Sequence, residues 1–194
     1  PMRGRNPLSQ TDYTWDVSCR EGSAGGARRS CFAYQSGEEL VTYDLETREE
    51  TARVTKTMVY QGQDLLYGNP TQIVTVSEDD FARMQTTQSM EYDYSDASRG
   101  WFNKLTRNTT VAHEVEYFGA PLPASKSNTT KTVVTTYTYY DEDSAWPRKP
   151  ATVTLQPDVA SERKVTSYEA YDMYGNPIES SVAGVGLASA GATS

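Results

Sequence analysis

The sequence predicts an all-β fold built from repeated β-hairpins, on three observations. Thr, Val and Tyr alternate along short segments, Gly- and Pro-bearing turns separate those segments, and sustained helical periodicity is nearly absent. The alternation is clearest in Val54-Thr55-Lys56-Thr57-Met58-Val59-Tyr60 and Val133-Val134-Thr135-Thr136-Tyr137-Thr138-Tyr139. A period of two sends successive side chains to opposite faces, so each segment buries one row and solvates the other. Thr71–Val76, Met90–Tyr94, Ala112–Tyr117, Ala151–Leu155, Lys164–Ala170 and Ile178–Val182 are further strands of this kind. Leu45–Thr51 and Glu78–Gln85 are each expected to hold a turn or two of helix.

Reversals are expected at Tyr67-Gly68-Asn69-Pro70, Ser98-Arg99-Gly100, Phe118-Gly119-Ala120-Pro121 and Tyr174-Gly175-Asn176-Pro177. Glycine and asparagine tolerate positive φ there, and proline ends strand pairing. The chain divides into a divergent N-terminal β region at 1–52, a repeat region at 53–182 and a flexible small-residue connector at 183–194.

Composition narrows the function. The 194 residues suffice for one substantial core or two small ones. Hydrophobic residues make up 37%, but 14 tyrosines and 3 tryptophans supply rings that pack on one side and hydrogen-bond on the other. A net charge of −8 and the lack of a long basic run disfavour nucleic-acid binding. No apolar run is long enough to span a bilayer as a helix, and Pro1–Arg5 do not lead into a signal-peptide core, so no membrane insertion by this segment is expected. The start at Pro1 and the small-residue run Gly184–Ser194 suggest a piece cut from a longer protein.

Two units recur. Tyr92, Tyr94, Asp96, Trp101 and Lys104 correspond one by one to Tyr137, Tyr139, Asp141, Trp146 and Lys149, with a single offset of 45 residues. Tyr60 followed by Tyr67-Gly68-Asn69-Pro70 corresponds to Tyr168 followed by Tyr174-Gly175-Asn176-Pro177. Repeats of this size are supersecondary units that bury their apolar faces by stacking on neighbours.

Tyr171-Asp172-Met173-Tyr174-Gly175-Asn176-Pro177 resembles the YD-repeat signature of Rhs proteins, of the B and C components of insecticidal toxin complexes, and of teneurins. Trp101-Phe102-Asn103-Lys104-Leu105-Thr106-Arg107 is similar to the Trp-aromatic-x-x-Leu-Thr-Arg stretch of the bacterial members. The resemblance covers Arg53–Ser181, and Leu8–Leu45 more loosely. It implies a strip of hairpins spiralling into a hollow shell that encloses a C-terminal toxin or cargo, secreted or at the cell surface. Its partners would be the rest of the shell, the cargo and a delivery apparatus. The family's self-cleaving Asp-Pro motif has no counterpart, because the sequence contains no Asp-Pro dipeptide. A surface-adhesion or carbohydrate-binding module is the alternative, since exposed tyrosines suit stacking on sugars.

Catalytic motifs are incomplete. His113 is the single histidine, and His113-Glu114-Val115-Glu116-Tyr117 has Tyr where a zinc protease needs its second His. Ser77-Glu78-Asp79-Asp80 and Asp141-Glu142-Asp143 lack calcium-loop spacing and read as solvated turns. Gly184-Val185-Gly186-Leu187-Ala188-Ser189 lacks the third glycine of a dinucleotide loop. Asn108-Thr109-Thr110 and Asn128-Thr129-Thr130 fit the N-glycosylation pattern and point to surface loops. The chain is therefore read as a non-enzyme without cofactor or metal. Cys19 and Cys31 flank a Gly/Ser/Arg-rich loop between two expected strands. Either a disulfide or two free thiols fits that spacing. The inter-hairpin packing ladder is expected from Tyr92, Tyr94, Trp101, Tyr137, Tyr139, Trp146, Tyr168 and Tyr174.

Overall fold

A computed structural model describes residues 8–20, 30–117, 130–184 and 190–193. Among them the chain forms eleven strands: β1 (Ser9–Arg20), β2 (Ser30–Tyr43), β3 (Glu50–Val59), β4 (Gln72–Asp79), β5 (Ala82–Asp93), β6 (Lys104–Tyr117), β7 (Lys131–Tyr139), β8 (Pro150–Leu155), β9 (Lys164–Tyr171), β10 (Pro177–Gly184) and β11 (Ala190–Thr193). Helix is confined to α1 (Gly62–Tyr67) and a 3-10 turn at Ala97–Arg99. The strands follow one another in the sheet in chain order, so the architecture is an all-β meander of hairpins. Two compact units divide it: 1–89 with 111–131, and 90–110 with 132–194.

In the first unit β1 pairs with β2, β2 with β3, β3 with β4 and β4 with β5, all antiparallel. Thr55, Val76 and Gln85 stand abreast in one row across β3–β5, and Thr57, Val74 and Thr87 in the next. The β-branched residues are thus spent on cross-strand pairs, which is what stabilises a pleated surface. Val41 is buried in β2. Arg53 bridges Glu39 and Glu50 at 2.8 Å each, and Lys56 bridges Glu38 at 2.9 Å. A register shift between Thr14 and Trp15 leaves Ser36 of β2 as a bulge. Nearby, Tyr34 packs on Tyr60 at 4.6 Å, and the Tyr60 hydroxyl donates to Gln35 O at 2.8 Å.

In the second unit β7 pairs with β8, β8 with β9, β9 with β10 and β10 with β11. Tyr137, Val153, Thr166 and Val182 form one row across four strands. Thr138, Thr152, Ser167 and Ser181 form a hydroxyl row on the opposite face, where the Thr138 and Thr152 hydroxyls lie 2.7 Å apart. Buried apolar side chains here are Trp101, Val134 and Tyr171. No described side chain in either unit is completely enclosed.

Four local expectations are corrected. Leu45–Thr51 is not helical: Asp44 Oδ1 accepts the Glu46 and Thr47 N–H groups at 2.7 and 2.8 Å, and Arg48 takes φ 67°, which closes a turn before β3. Glu78–Gln85 is not helical either. Asp79 Oδ1 accepts from the Phe81 and Ala82 amides, both at 2.8 Å, turning β4 into β5, and Arg83, Met84 and Gln85 pair across to Glu78, Ser77 and Val76. Tyr67-Gly68-Asn69-Pro70 lies where the chain reverses between β3 and β4, but as the end of α1 and not as a tight turn, with Gly68 at φ 72° as its left-handed cap. Part of the small-residue connector is strand, because Ala190–Thr193 pairs with Glu179–Val182. The expected turn at Phe118–Pro121, Asn128 and Val185–Ser189 lie outside the described residues.

Candidate functional site

Because the second unit is a meander, its connections β5–β6, β7–β8 and β9–β10 all leave from the same end of their strands. The sequence repeats fall on these three loops. The first runs from Tyr94 to Asn103, through the 3-10 turn and Gly100 at φ 80°. It buries Trp101, 8% exposed, which meets Tyr139 of β7 edge-on at 5.1 Å and 88°. Lys104 and Arg148 lie 5.1 and 5.8 Å from the Trp101 ring centroid, within cation–π range.

Lys104 Nζ is held by Asp93 at 2.9 Å and Asp96 at 3.0 Å. The Lys104 ammonium, with help from the Ser95 amide, pulls the Asp93 carboxyl down to about 2, and the same two carboxylates raise Lys104 above its ordinary value. At neutral pH this lysine is charged and carries no lone pair for nucleophilic or Schiff-base chemistry.

The second loop, Tyr140–Lys149, repeats the plan. Trp146 packs against Tyr140 at 5.5 Å and Tyr171 at 6.3 Å. Arg148, at φ 64°, donates to Glu142 at 2.7 Å and to Arg99 O at 2.8 Å, tying the second loop to the first. Ser144 donates to Asp141 O through both its amide and its hydroxyl. Between the two loops lies an open cleft of about 250 Å³, lined by Trp101, Lys104, Tyr139, Tyr140 and the acids Asp96 and Asp141–Asp143.

The third loop is the Tyr171–Pro177 turn. Asp172 Oδ1 accepts the Tyr174 and Asn176 amides, both at 2.8 Å, and Oδ2 accepts from Asn176 Nδ2 at 2.9 Å. These hydrogen bonds hold the Asp172 carboxyl below its ordinary value, those from Asn176 most. Gly175 sits at φ 87°, and a Cβ there would meet Lys149 Cε at 2.8 Å and Nζ closer still. Pro177 opens β10 opposite Tyr171.

Tyrosine hydroxyls join the loops to neighbouring hairpins. Tyr139 Oη donates to Leu105 O at 2.8 Å, and Tyr171 Oη donates to Pro150 O at 2.6 Å. Leu105 and Pro150 are themselves related by the 45-residue offset, so the two bonds are equivalent. Tyr140 Oη also donates to Tyr168 O at 2.6 Å. Burial raises the phenol pKa of both Tyr139 and Tyr171, with neighbouring tyrosines adding to it.

The ladder therefore loses one expected member and gains two. Tyr174 is 80% exposed and lies outside it. Tyr140 and Tyr171 take its place, with Tyr168 6.1 Å from Tyr171. Tyr92 stacks on Tyr94 at 6.3 Å, and Tyr137, half-buried, has its phenol pKa raised by burial and by Tyr168. In the first unit Gly68 caps α1, Asn69 is buried with its amide on Asp64 O at 3.0 Å, and Tyr67 and Pro70 are half-buried. Tyr43-Asp44 also ends a strand in an aspartate-capped turn, with Asp44 Oδ1 accepting the Glu46 and Thr47 amides. Its positive φ falls at Arg48, however, and it closes from Asp44 N to Glu49 O, one residue longer than the Asp172 N to Asn176 O closure.

Cys19 and Cys31 stand directly opposite each other in the β1–β2 register and are joined as a disulfide, with Cα atoms 4.0 Å apart. His113–Tyr117 belongs to strand β6, where residues four apart are about 13 Å apart, too far for two ligands of one metal. The side chain of His113 lies outside the described residues. Among the described residues no group of three or more His, Cys, Asp or Glu is arranged to hold a metal ion, and no helix is long and apolar enough to cross a membrane. The chain matches no family model, and no curated protein or solved structure is significantly similar to it.

Proposed function

We propose that this chain is a structural segment of a Rhs- or toxin-complex-type β shell, in a longer parent protein that encloses a C-terminal toxin or cargo. The observation that carries the reading is the pair of equivalent hydroxyl bonds, Tyr139 to Leu105 and Tyr171 to Pro150. Each fastens one hairpin to the next at the loop end, a join that can be repeated indefinitely along a strip. Thr, Ser and ion-paired rows on the strand faces suit a wall that meets water or an unfolded cargo without gripping it. The work is containment, without catalysis or cofactor, outside the producing cell.

Limited proteolysis of the parent protein tests this. Residues that follow the segment are expected to resist protease in the intact parent and to become cleavable when Trp101→Ala and Tyr171→Ala open the joins. Equal cleavage in both would refute containment.

A second reading, a glycan-binding surface module, is favoured by one feature: Met173, Tyr174 and Ile178 are exposed together at the β9–β10 turn. Such a ring suits stacking on a sugar face. Glycan-array binding abolished by Tyr174→Ala would replace the shell reading with this one.

A further inference from the structure

The first two loops of the second unit are sequence copies, yet only one of them holds its lysine between carboxylates. In the first, Lys104 Nζ sits between Asp93 at 2.9 Å and Asp96 at 3.0 Å, and 5.1 Å from the Trp101 ring centroid. Carboxylates beside an aromatic face make a complete ammonium site, since both favour the charged group. In the second loop the 45-residue offset puts Lys149 in place of Lys104, Asp141 in place of Asp96 and Thr138 in place of Asp93. With a hydroxyl where one carboxylate of the pair stood, Lys149 makes no ion pair among the described residues, and its ammonium lies over Gly175 of the third loop instead. The Asp141 carboxylate is left without a partner there, as is that of Asp143, and both residues are exposed. They line the cleft of about 250 Å³ whose aromatic wall is Trp101, Tyr139 and Tyr140. The other charges of the cleft are matched: Asp96 holds Lys104, with Arg99 at 4.0 Å, and Glu142 holds Arg148 at 2.7 Å. The Tyr139 and Tyr140 hydroxyls are committed to Leu105 O and Tyr168 O. What remains unsatisfied in the cleft is negative charge beside aromatic rings.

We propose that this cleft binds a primary alkylammonium group, of a free amine or of a lysine side chain, which takes on Asp141 and Asp143 the place that Lys104 takes on Asp93 and Asp96. An acidic turn alone would not name its ligand. The filled copy in the first loop does, because the same residue types at the same offset hold an ammonium there. Anions are repelled by the two unmatched carboxylates, and a neutral ligand leaves them unmatched. The chain's net charge of −8 draws cations towards the cleft from a distance. The proposal is independent of the shell reading, since every residue it uses belongs to the second unit and none of its chemistry concerns a cargo.

The test is an NMR titration of the isotope-labelled 194-residue chain with two probes, putrescine and Nα-acetyl-lysine methylamide, at constant ionic strength. Butanediol, which keeps the carbon chain of putrescine and lacks its charge, is the control. Saturable shifts are expected at the Trp101 indole N–H and at the amides of Asp141, Glu142, Asp143 and Ser144 with the amines and not with the diol. Whichever amine binds tighter identifies the source, a free amine or a peptide side chain, and either order supports the site. The double variant Asp141→Asn/Asp143→Asn should weaken binding about three- to tenfold, the range for two exposed ion pairs. Glu49→Gln/Asp80→Asn removes the same charge from exposed acids of the first unit and should leave binding unchanged. Neither Asp141 nor Asp143 spends its carboxylate on the fold, and unaltered signals elsewhere in the spectrum will verify that the variant is folded. Lys149→Met removes the second loop's own competing ammonium and should bind the amines as tightly as the parent chain or tighter. Absence of saturable shifts, equal shifts with the diol, equal weakening in the two double variants, or lost binding in Lys149→Met would each overturn the proposal.

Discussion

Trp101→Ala is the sharpest perturbation of the loop end. Burying a tryptophan removes about 150–250 Å² from water, worth about 4–6 kcal/mol at ~25 cal/mol per Å². Residual compactness of the unfolded chain trims that by about a quarter. Loss of the edge-on contact with Tyr139 adds about 1 kcal/mol. No large cavity term is added, because the ring borders an open cleft that water can fill. The expected loss is therefore about 4–5.5 kcal/mol, at the upper end of the usual range for buried Trp→Ala. Trp146, only half-buried between Tyr140 and Tyr171, should cost roughly half as much, and Trp15, 59% exposed, under about 0.5 kcal/mol. Urea unfolding followed by circular dichroism, with hydrogen exchange of the β7 and β8 amides to locate the damage, measures all three. A loss below about 1 kcal/mol for Trp101→Ala, or equal losses for Trp101 and Trp15, would refute the packing account.

Three further outcomes follow from the same loops. Tyr171→Phe removes the hydroxyl bond to Pro150 O and should cost about 1 kcal/mol, whereas Tyr174→Phe, on an exposed ring, should leave the urea midpoint unchanged. Gly175→Ala and Gly68→Ala both force alanine into positive φ at about 1–2 kcal/mol each; Gly68 has no atom closer than 4.0 Å to obstruct a methyl, so equal losses at both would show that φ governs and that Lys149 simply moves aside. The Asp93 carboxyl is depressed in the folded chain, so its stabilisation is complete above about pH 4 and is lost as pH falls towards 2. Being partly exposed, Asp93 should contribute at most about 1 kcal/mol, and Asp93→Asn should flatten a stability profile measured between pH 5 and 2.

Several strand positions in the repeat region were legible from alternation alone, because each hairpin reads its own face: Glu50–Val59, Gln72–Asp79 and Lys131–Tyr139 enclose or overlap the expected segments. The disagreements have local causes. Phe81-Ala82-Arg83-Met84-Gln85 is rich in helix formers, but pairing with β4 overrides that weak preference. Leu45–Thr51 is rich in the helix formers Leu, Glu and Arg, yet the Asp44 carboxylate captures its first amides before a helix can nucleate. The loop site was half legible. Trp101 and Trp146 stood out through their shared offset, but the direction of Tyr174 could not be read from its neighbours, because Tyr-Gly-Asn-Pro ends a helix at Gly68 and makes a hairpin at Gly175.

That double use of one tetrapeptide shows where the repeat information resides. What recurs is a hydroxyl bond from a strand-end tyrosine to the carbonyl just past the preceding loop. The acceptors Leu105 and Pro150 keep the 45-residue offset, while the donors Tyr139 and Tyr171 are closer together, since the β8–β9 hairpin is shorter than the β6–β7 hairpin. Length is therefore free to vary at the far end of each hairpin but not at the tyrosine end, where Trp101, Trp146 and the turn at Asp172 set the geometry. Insertions of several residues between β8 and β9 should be tolerated. A single insertion between Asp141 and Lys149 should not be, because it would move Pro150 O out of reach of Tyr171.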